Sequence, residues 1–288
     1  MQDIWKALRQ IGEEFSPRAI DATRQLYAGD ALRPADAGAV VTRDLAYGGD
    51  PRQRLDVFHP GGDVASRPVV VFVHGGGFAA GDKGGEGAPF YNNVGAWAVR
   101  SGFVGVNMTY RLAPQYPWPH GAQDVALALR WVAENIGRYG GDAARVVVVG
   151  QSAGAAHVAG CLAGHGGASL EPAASVLLSG IYEPDAFHVD PMQEAYFGAD
   201  VGQYASRSTV VALARTSVPC LFTISQFDPP LFQRQLAAVF EARTAVTGHC
   251  PELLWLPGHN HFSTSMQIGG PHDTLGPQLA TYIRRIAG

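Results

Sequence analysis

Cysteine is scarce. The 288 residues hold three, Cys161, Cys220 and Cys250, far apart and with no Cys-x-x-Cys pair. An odd number at open spacing argues against a disulfide framework or a cysteine zinc site, and for reduced, mostly buried thiols. Charge is scarce too, at 16% of residues with a net of −4, and no basic run occurs, so nucleic acid is not an expected partner. No uninterrupted apolar run reaches the roughly 18 residues of a membrane span. The opening MQDIWKALRQIGEEF scatters charges among its apolar positions and lacks the continuous apolar region of a signal peptide, which points to the cytoplasm. There is no internal repeat and no low-complexity segment. The glycine strings around Gly75 and Gly84 are not closed by Gly-Lys-Ser/Thr, so they make poor phosphate loops. His59, His120, His165, His188, His249 and His272 show no metal-ligand spacing with one another, and neither a metal nor an organic cofactor is expected.

What is present is apolar sequence cut into short runs. Hydrophobic residues make up 47% of the chain, enough for a substantial core. Strand-like runs occur at Leu55–Phe58, Val69–His74, Phe103–Tyr110, Arg145–Gly150, Ala174–Tyr182, Cys220–Ser225 and Glu252–Leu256. Helical patterns lie between most of them, clearest where Val125, Leu129, Val132 and Ile136 share one face. Strands apolar at every residue are buried on both faces, so the expected class is α/β, with a mainly parallel central sheet covered by helices on both sides. The first strands, near Leu45 and Leu55, are separated by the turn-rich YGGDPRQ and fit an antiparallel edge hairpin. Two helices are expected at the N-terminus, the second capped by Ser16, started by Pro17 and stopped at Gly29. The stretch 183–214 has no strand run and is too long for an ordinary connection, so it reads as a helical insertion.

Three motifs carry chemistry. Val146–Val149 run straight into Gly150-Gln151-Ser152-Ala153-Gly154, and a small-residue helix follows. A strand that feeds Gly-x-Ser-x-Gly and then a helix is the nucleophile elbow of the α/β-hydrolase fold: a tight turn that lifts a strained serine above the sheet edge. Upstream, His74-Gly75-Gly76-Gly77-Phe78 closes another buried strand. Consecutive glycines leave backbone N–H groups open to a developing oxyanion. The third motif is Tyr110-Arg111-Leu112-Ala113-Pro114.

In this order and at these separations, HGGGF, YRLAP and GQSAG resemble the hormone-sensitive-lipase-like carboxylesterases, from about Arg54 to the C-terminus. The resemblance implies one α/β-hydrolase domain over 1–288, with a small helical cap from about 1–40 and 183–215. It implies an oxyanion hole of Gly76, Gly77 and Ala153, and a triad in the order serine, acid, histidine. The acid follows the strand CLFTISQF and falls on Asp228, in Asp-Pro-Pro-Leu where the family usually shows Asp-Pro-Leu. PGHNHFS offers His259 and His261; the family places phenylalanine directly after the working histidine, which selects His261 before Phe262. His74 is expected to be a structural hydrogen-bonding residue, and His157 to be buried. Phe78, Phe187 and Phe197 are the candidate substrate-binding residues.

The implied activity is hydrolysis of short- to medium-chain carboxylic esters through an acyl-serine, on a small-molecule ester and without a membrane span. A homodimer is an assembly the resemblance allows. Two alternatives stand below it. Gln151, where the family often has aspartate, also resembles aryl-formamidases, which use the same triad on an amide but usually show tryptophan near the His-Gly-Gly. A non-catalytic receptor of the gibberellin type would lack the working histidine, which this chain keeps.

Overall fold

A computed structural model of the chain describes residues 4–62, 66–167, 170–186 and 190–288. Eight strands form one sheet: β1 (Val40–Ala46), β2 (Arg54–His59), β3 (Arg67–Val73), β4 (Val104–Met108), β5 (Gly141–Gln151), β6 (Ala174–Leu178), β7 (Cys220–Phe227) and β8 (Glu252–Asn260). Their order is β1-β2-β4-β3-β5-β6-β7-β8. β1 pairs with β2 and β2 with β4 antiparallel, so the expected hairpin forms one edge; every pairing from β4 to β8 is parallel.

The alternation of the central strands explains the two-sided burial. Val69, Val71 and Val73 point into one core with Val146 and Val148, while Val70, Phe72, Val147 and Val149 point into the other. Helices α4 (His120–Asn135), α5 (Ala153–Leu162) and α9 (Pro230–Thr247) cover the first face through Leu129, Val158 and Val239. On the opposite face, α3 (Asn92–Arg100) and α11 (Gly276–Ala287) contribute Trp97, Leu279 and Ile283. Each such side chain, taken wholly from water, stabilises the fold by about 1.5–3 kcal/mol before entropy is counted.

Two segments lie outside this sandwich. The N-terminal pair is α1 (Ile4–Ile11) and α2 (Pro17–Ala28). The Ser16 hydroxyl accepts from the Ala19 N–H, Pro17 opens α2 and Gly29 closes it, as the sequence leads one to expect. The described part of the insertion between β6 and β7 carries the short helices α6 (Pro191–Phe197), α7 (Tyr204–Arg207) and α8 (Val210–Arg215). A short α10 (Ser263–Met266) follows β8. Among the described residues no helix is long and apolar enough to cross a membrane.

Candidate active site

β5 ends at Gln151 and α5 begins at Ala153, with Ser152 between them at φ 55°, ψ −119°. A side chain rarely occupies that region, and holding one there costs on the order of 1–3 kcal/mol. The surroundings fix it: the Ser152 N–H donates to the Leu178 carbonyl at 2.9 Å, and the Ala156 N–H donates to the Ser152 carbonyl at 3.2 Å. The flanking glycines are required by close approach. A Cβ on Gly150 would lie 2.7 Å from the Ala155 nitrogen, and one on Gly154 would lie 2.1 Å from the Val73 carbonyl oxygen. The elbow can therefore press its helix against the end of β3, where the glycine loop starts.

In that loop Gly76 (φ 140°) and Gly77 (φ 58°) turn their backbone in a way that L side chains resist. Neither N–H has an acceptor among the described residues. Ala153 supplies the first N–H of α5, which has no intrahelical acceptor and sits at the positive end of the helix dipole. The YRLAP motif holds the loop from behind. The Tyr110 hydroxyl donates to the His74 carbonyl at 2.9 Å, and the Ala113 N–H donates to the Phe78 carbonyl at 3.0 Å. His74 stacks on the Tyr110 ring at 4.4 Å, and its Nδ1 meets the Gly75 carbonyl at 2.7 Å. Burial, aided by the nearby Arg52 charge, pushes the His74 pKa down to about 3, so it is a neutral structural group. Arg111 in turn pairs with the buried Asp124 at 2.7 Å.

Asp228 and His261 meet at the ends of β7 and β8. The His261 Nδ1–H donates to Asp228 Oδ1 at 2.6 Å. The other carboxylate oxygen accepts from the Ser179 hydroxyl at 2.7 Å and from the Ser225 N–H at 2.6 Å. The imidazole lies between aromatic rings, with centroids 4.0 Å from Phe232 and 5.1 Å from Phe15. Its Nε2 is buried and has no partner among the described residues. His259, the competing histidine, has both nitrogens occupied, Nδ1 by the Ser263 hydroxyl and Nε2 by the Thr274 hydroxyl, each at 3.0 Å. Burial pushes its pKa down to about 4. Two sequence neighbours thus have opposite environments, and only His261 keeps a free nitrogen.

Ser152, His261, Gly76 and Gly77 open onto one cleft of about 520 Å³. Its walls come largely from the two outlying segments: Phe15, Pro17, Ile20 and Arg24 from the N-terminal one, Met192 from the insertion, with Tyr91, Phe262 and Met266 beneath. A Cβ on Gly77 would come within 2.4 Å of Met192 Sδ, so α6 reaches the glycine loop itself.

Two expected pocket residues are elsewhere. Phe78 is buried and stacks on Tyr196 at 4.3 Å, edge-on to Phe197 at 5.4 Å. Phe197 belongs to the same aromatic core, and neither lines the cleft. The reason is local: φ 67° at Phe78 turns its side chain away from the loop's open side and into the core. Phe187 falls outside the described residues. His157 joins the buried cluster, with Nδ1 3.1 Å from the Tyr196 hydroxyl, and burial pushes its pKa down to about 3.

Sequence reasoning missed Phe15, Arg24 and Met192 as cleft walls, since nothing local marks them. In the sequence Gln151 stands out by its departure from the usual aspartate and by its likeness to the aryl-formamidases, neither of which gives it a structural task. Its Nε2 donates to the His261 carbonyl at 3.2 Å, while its side chain fills the space a Cβ on Gly75 would need. It thereby ties the elbow to both neighbouring loops. Among the described residues no group of three or more His, Cys, Asp or Glu is arranged to hold a metal ion.

Known proteins share this frame. Carboxylesterase NlhH of Mycobacterium tuberculosis is 40% identical over 116 residues, which cover 40% of this chain and 35% of that protein. A probable isoprenylcysteine alpha-carbonyl methylesterase, ICMEL1 of rice (Oryza sativa subsp. japonica), is 39% identical over 121 residues, 42% of this chain and 27% of the other. The alignments thus span about a third or less of these relatives' length. Among solved structures, esterase B of Lactobacillus rhamnosis superposes with a TM-score of 0.75 at 18% identity, over 99% of this chain and 95% of its own. Esterase LipW of Mycobacterium marinum does so with a TM-score of 0.69 at 23% identity, over 99% and 96%. These likenesses show the α/β-hydrolase fold. The BD-FAE family model matches residues 55–209, just over half of the chain and the part that carries the glycine loop, YRLAP and the elbow. The chain belongs to the BD-FAE family and has the α/β-hydrolase fold.

Proposed function

We propose that this chain is a serine carboxylesterase acting on short- to medium-chain esters, with Ser152 as nucleophile, His261 as base and Asp228 as its orienting acid. One observation carries the reading. The His261 nitrogen that would take the serine proton is buried, unpaired and in the cleft that Ser152 enters, while its other nitrogen is held by Asp228. An imidazole whose Nδ1–H is fixed on a carboxylate presents Nε2 as an acceptor, which is the tautomer a general base needs.

The reaction follows from that placement. Ser152 Oγ forms a bond to the ester carbonyl carbon as its proton passes to His261 Nε2. The carbonyl oxygen becomes an oxyanion, held by the N–H groups of Gly76, Gly77 and Ala153. The bond to the alcohol oxygen then breaks, and His261 returns the proton to the leaving alcohol. Water attacks the acyl-serine by the same route, gives its proton to His261 and releases the acid, and Ser152 regains its proton. Helices α1 and α2 and the 183–215 insertion act as the cap that bounds the acyl chain. The relatives are named for ester chemistry, which favours esters over the amides of the formamidase alternative.

The test compares the wild type with Ser152→Ala on p-nitrophenyl esters of two to twelve carbons. The wild type should be fastest on chains of two to six carbons, and Ser152→Ala should lose at least about 10³-fold in kcat. A folded Ser152→Ala protein with full activity would refute the reading. A preference for chains of twelve carbons or more would refute the chain-length assignment alone.

A further inference from the structure

The cleft is apolar along most of its length, but Arg24 stands in its wall without a partner. Among the described residues no carboxylate lies within ion-pair distance of its guanidinium and no hydrogen bond reaches it. The other charges around the entrance are satisfied. Asp82, the one acidic residue in the wall, is 3.8 Å from Arg52 and accepts the Gly84 N–H at 3.1 Å. Glu14 and Arg18, near the start of α2, pair with each other at 2.5 Å.

The face of α2 that carries Arg24 is set by its docking. The Asn260 amide donates to the buried Thr23 hydroxyl at 3.0 Å, locking the helix against the loop that bears His261. That rotation turns Pro17, Ile20 and Arg24, at helical spacing, along the cleft. Phe15, just before the helix, touches the His261 ring. With a rise of about 1.5 Å per residue, Arg24 lies on the order of 10 Å along the helix axis from Pro17. The cleft thus joins the reacting groups Ser152 and His261, an apolar wall of Ile20, Tyr91 and Met266, and the cation of Arg24.

We propose that Arg24 is a specificity residue, and that the esterase takes esters carrying a carboxylate several bonds from the scissile carbonyl. The identification of the substrate class rests on the esterase reading. The presence of an anion-binding group in the cleft does not. A guanidinium offers a forked pair of donors matched to a carboxylate, and such a group costs little to leave empty at a solvated mouth. A neutral ester would cover the apolar wall and leave the arginine hydrated. A carboxylate ester would engage both.

The experiment uses two matched pairs of esters, so that the carboxylate is tried on either side of the scissile bond. On the acyl side, mono-p-nitrophenyl adipate is compared with its neutral isostere, p-nitrophenyl 6-methylheptanoate. On the alcohol side, the butyrate ester of 5-hydroxypentanoate is compared with that of 5-methylhexanol. The ratio of kcat/KM, acid over neutral, is measured for the wild type, Arg24→Gln and Arg24→Glu. In at least one pair the wild type should favour the acid, through KM, and Arg24→Gln should lower the ratio roughly threefold to tenfold. Arg24→Glu should lower it further, and raising salt from 0.05 to 0.5 M should shrink the wild-type preference. Ratios unchanged by both substitutions in both pairs would overturn the proposal while leaving the esterase intact.

Calorimetric binding of adipate separates the two readings. A wild-type protein that hydrolyses none of the four esters, yet binds adipate severalfold tighter than Arg24→Gln does, would keep the anion site and discard the esterase. Equal adipate affinity in the two proteins, without hydrolysis, would discard both.

Discussion

Asp228 holds His261 with one carboxylate oxygen and the protein scaffold with the other. Oδ1 accepts the imidazole Nδ1–H at 2.6 Å, and Oδ2 accepts from Ser179 and from the Ser225 backbone. A carboxylate anchored twice cannot swing away, so the imidazole orientation is inherited from the ends of β6 and β7. Asp228→Asn keeps the shape but can present its amide to Nδ1, which would force the proton onto Nε2 and remove the base. The expected result is a fall in kcat of about 10³–10⁴-fold with KM little changed. A fall of less than tenfold would show that Asp228 does not set the tautomer.

The two histidines of PGHNHFS should separate cleanly. His261→Asn removes the unpaired nitrogen at the cleft and should abolish ester hydrolysis. His259→Asn breaks the buried bonds to Ser263 and Thr274 and should cost stability, by about 1–3 kcal/mol in urea unfolding. Hydrolysis should persist in that variant below its melting range. The opposite pattern, an active His261→Asn and a stable but inactive His259→Asn, would reassign the base.

Burial of three neutral imidazoles gives stability a defined pH dependence. His74 and His157 lie at about 3 and His259 at about 4, below the ordinary 6.5. Burial is the main cause in each, countered at His74 by its bond to the Gly75 carbonyl. A folded-state pKa below the unfolded one means that unfolding takes up protons between the two values. Stability is therefore fully present above pH 6.5 and lost as pH falls from there, toward 4 for His259 and toward 3 for His74 and His157. The slope is at most about 1.4 kcal/mol per pH unit for each histidine. Urea unfolding at pH 7.5, 6 and 5 measures it, and His157→Gln should reduce the slope between pH 6 and 5 by up to one proton. An unchanged slope would mean that His157 is not held neutral by the fold.

What could be read from the sequence was the part dictated by the backbone. Gly150 and Gly154 are glycines because a Cβ would collide with Ala155 and with Val73, and Gly76 because one would lie 2.0 Å from the Ala80 carbonyl oxygen. Such requirements mark the chain locally, and so do buried strands whose ends carry Asp228 and His261. The cleft walls were not legible, because they depend on docking between segments far apart in the chain. Whether Phe15, Ile20 or Arg24 faces the cleft is settled by Thr23 meeting Asn260, and neither segment alone records it. Phe78 shows the same limit from the other side. An aromatic residue beside the oxyanion glycines suggests a pocket, but the turn that frees those N–H groups sends its ring into the core against Tyr196.

The most direct measurement is stoichiometric labelling with a serine-directed phosphonate, followed by peptide mass mapping and assay on p-nitrophenyl butyrate. An activated elbow serine should take one phosphonyl group per chain, at Ser152, with hydrolysis lost in proportion and the label absent from His261→Asn. A protein that remains unlabelled, or that is labelled elsewhere while hydrolysis stops, would contradict the account of Ser152 as the nucleophile.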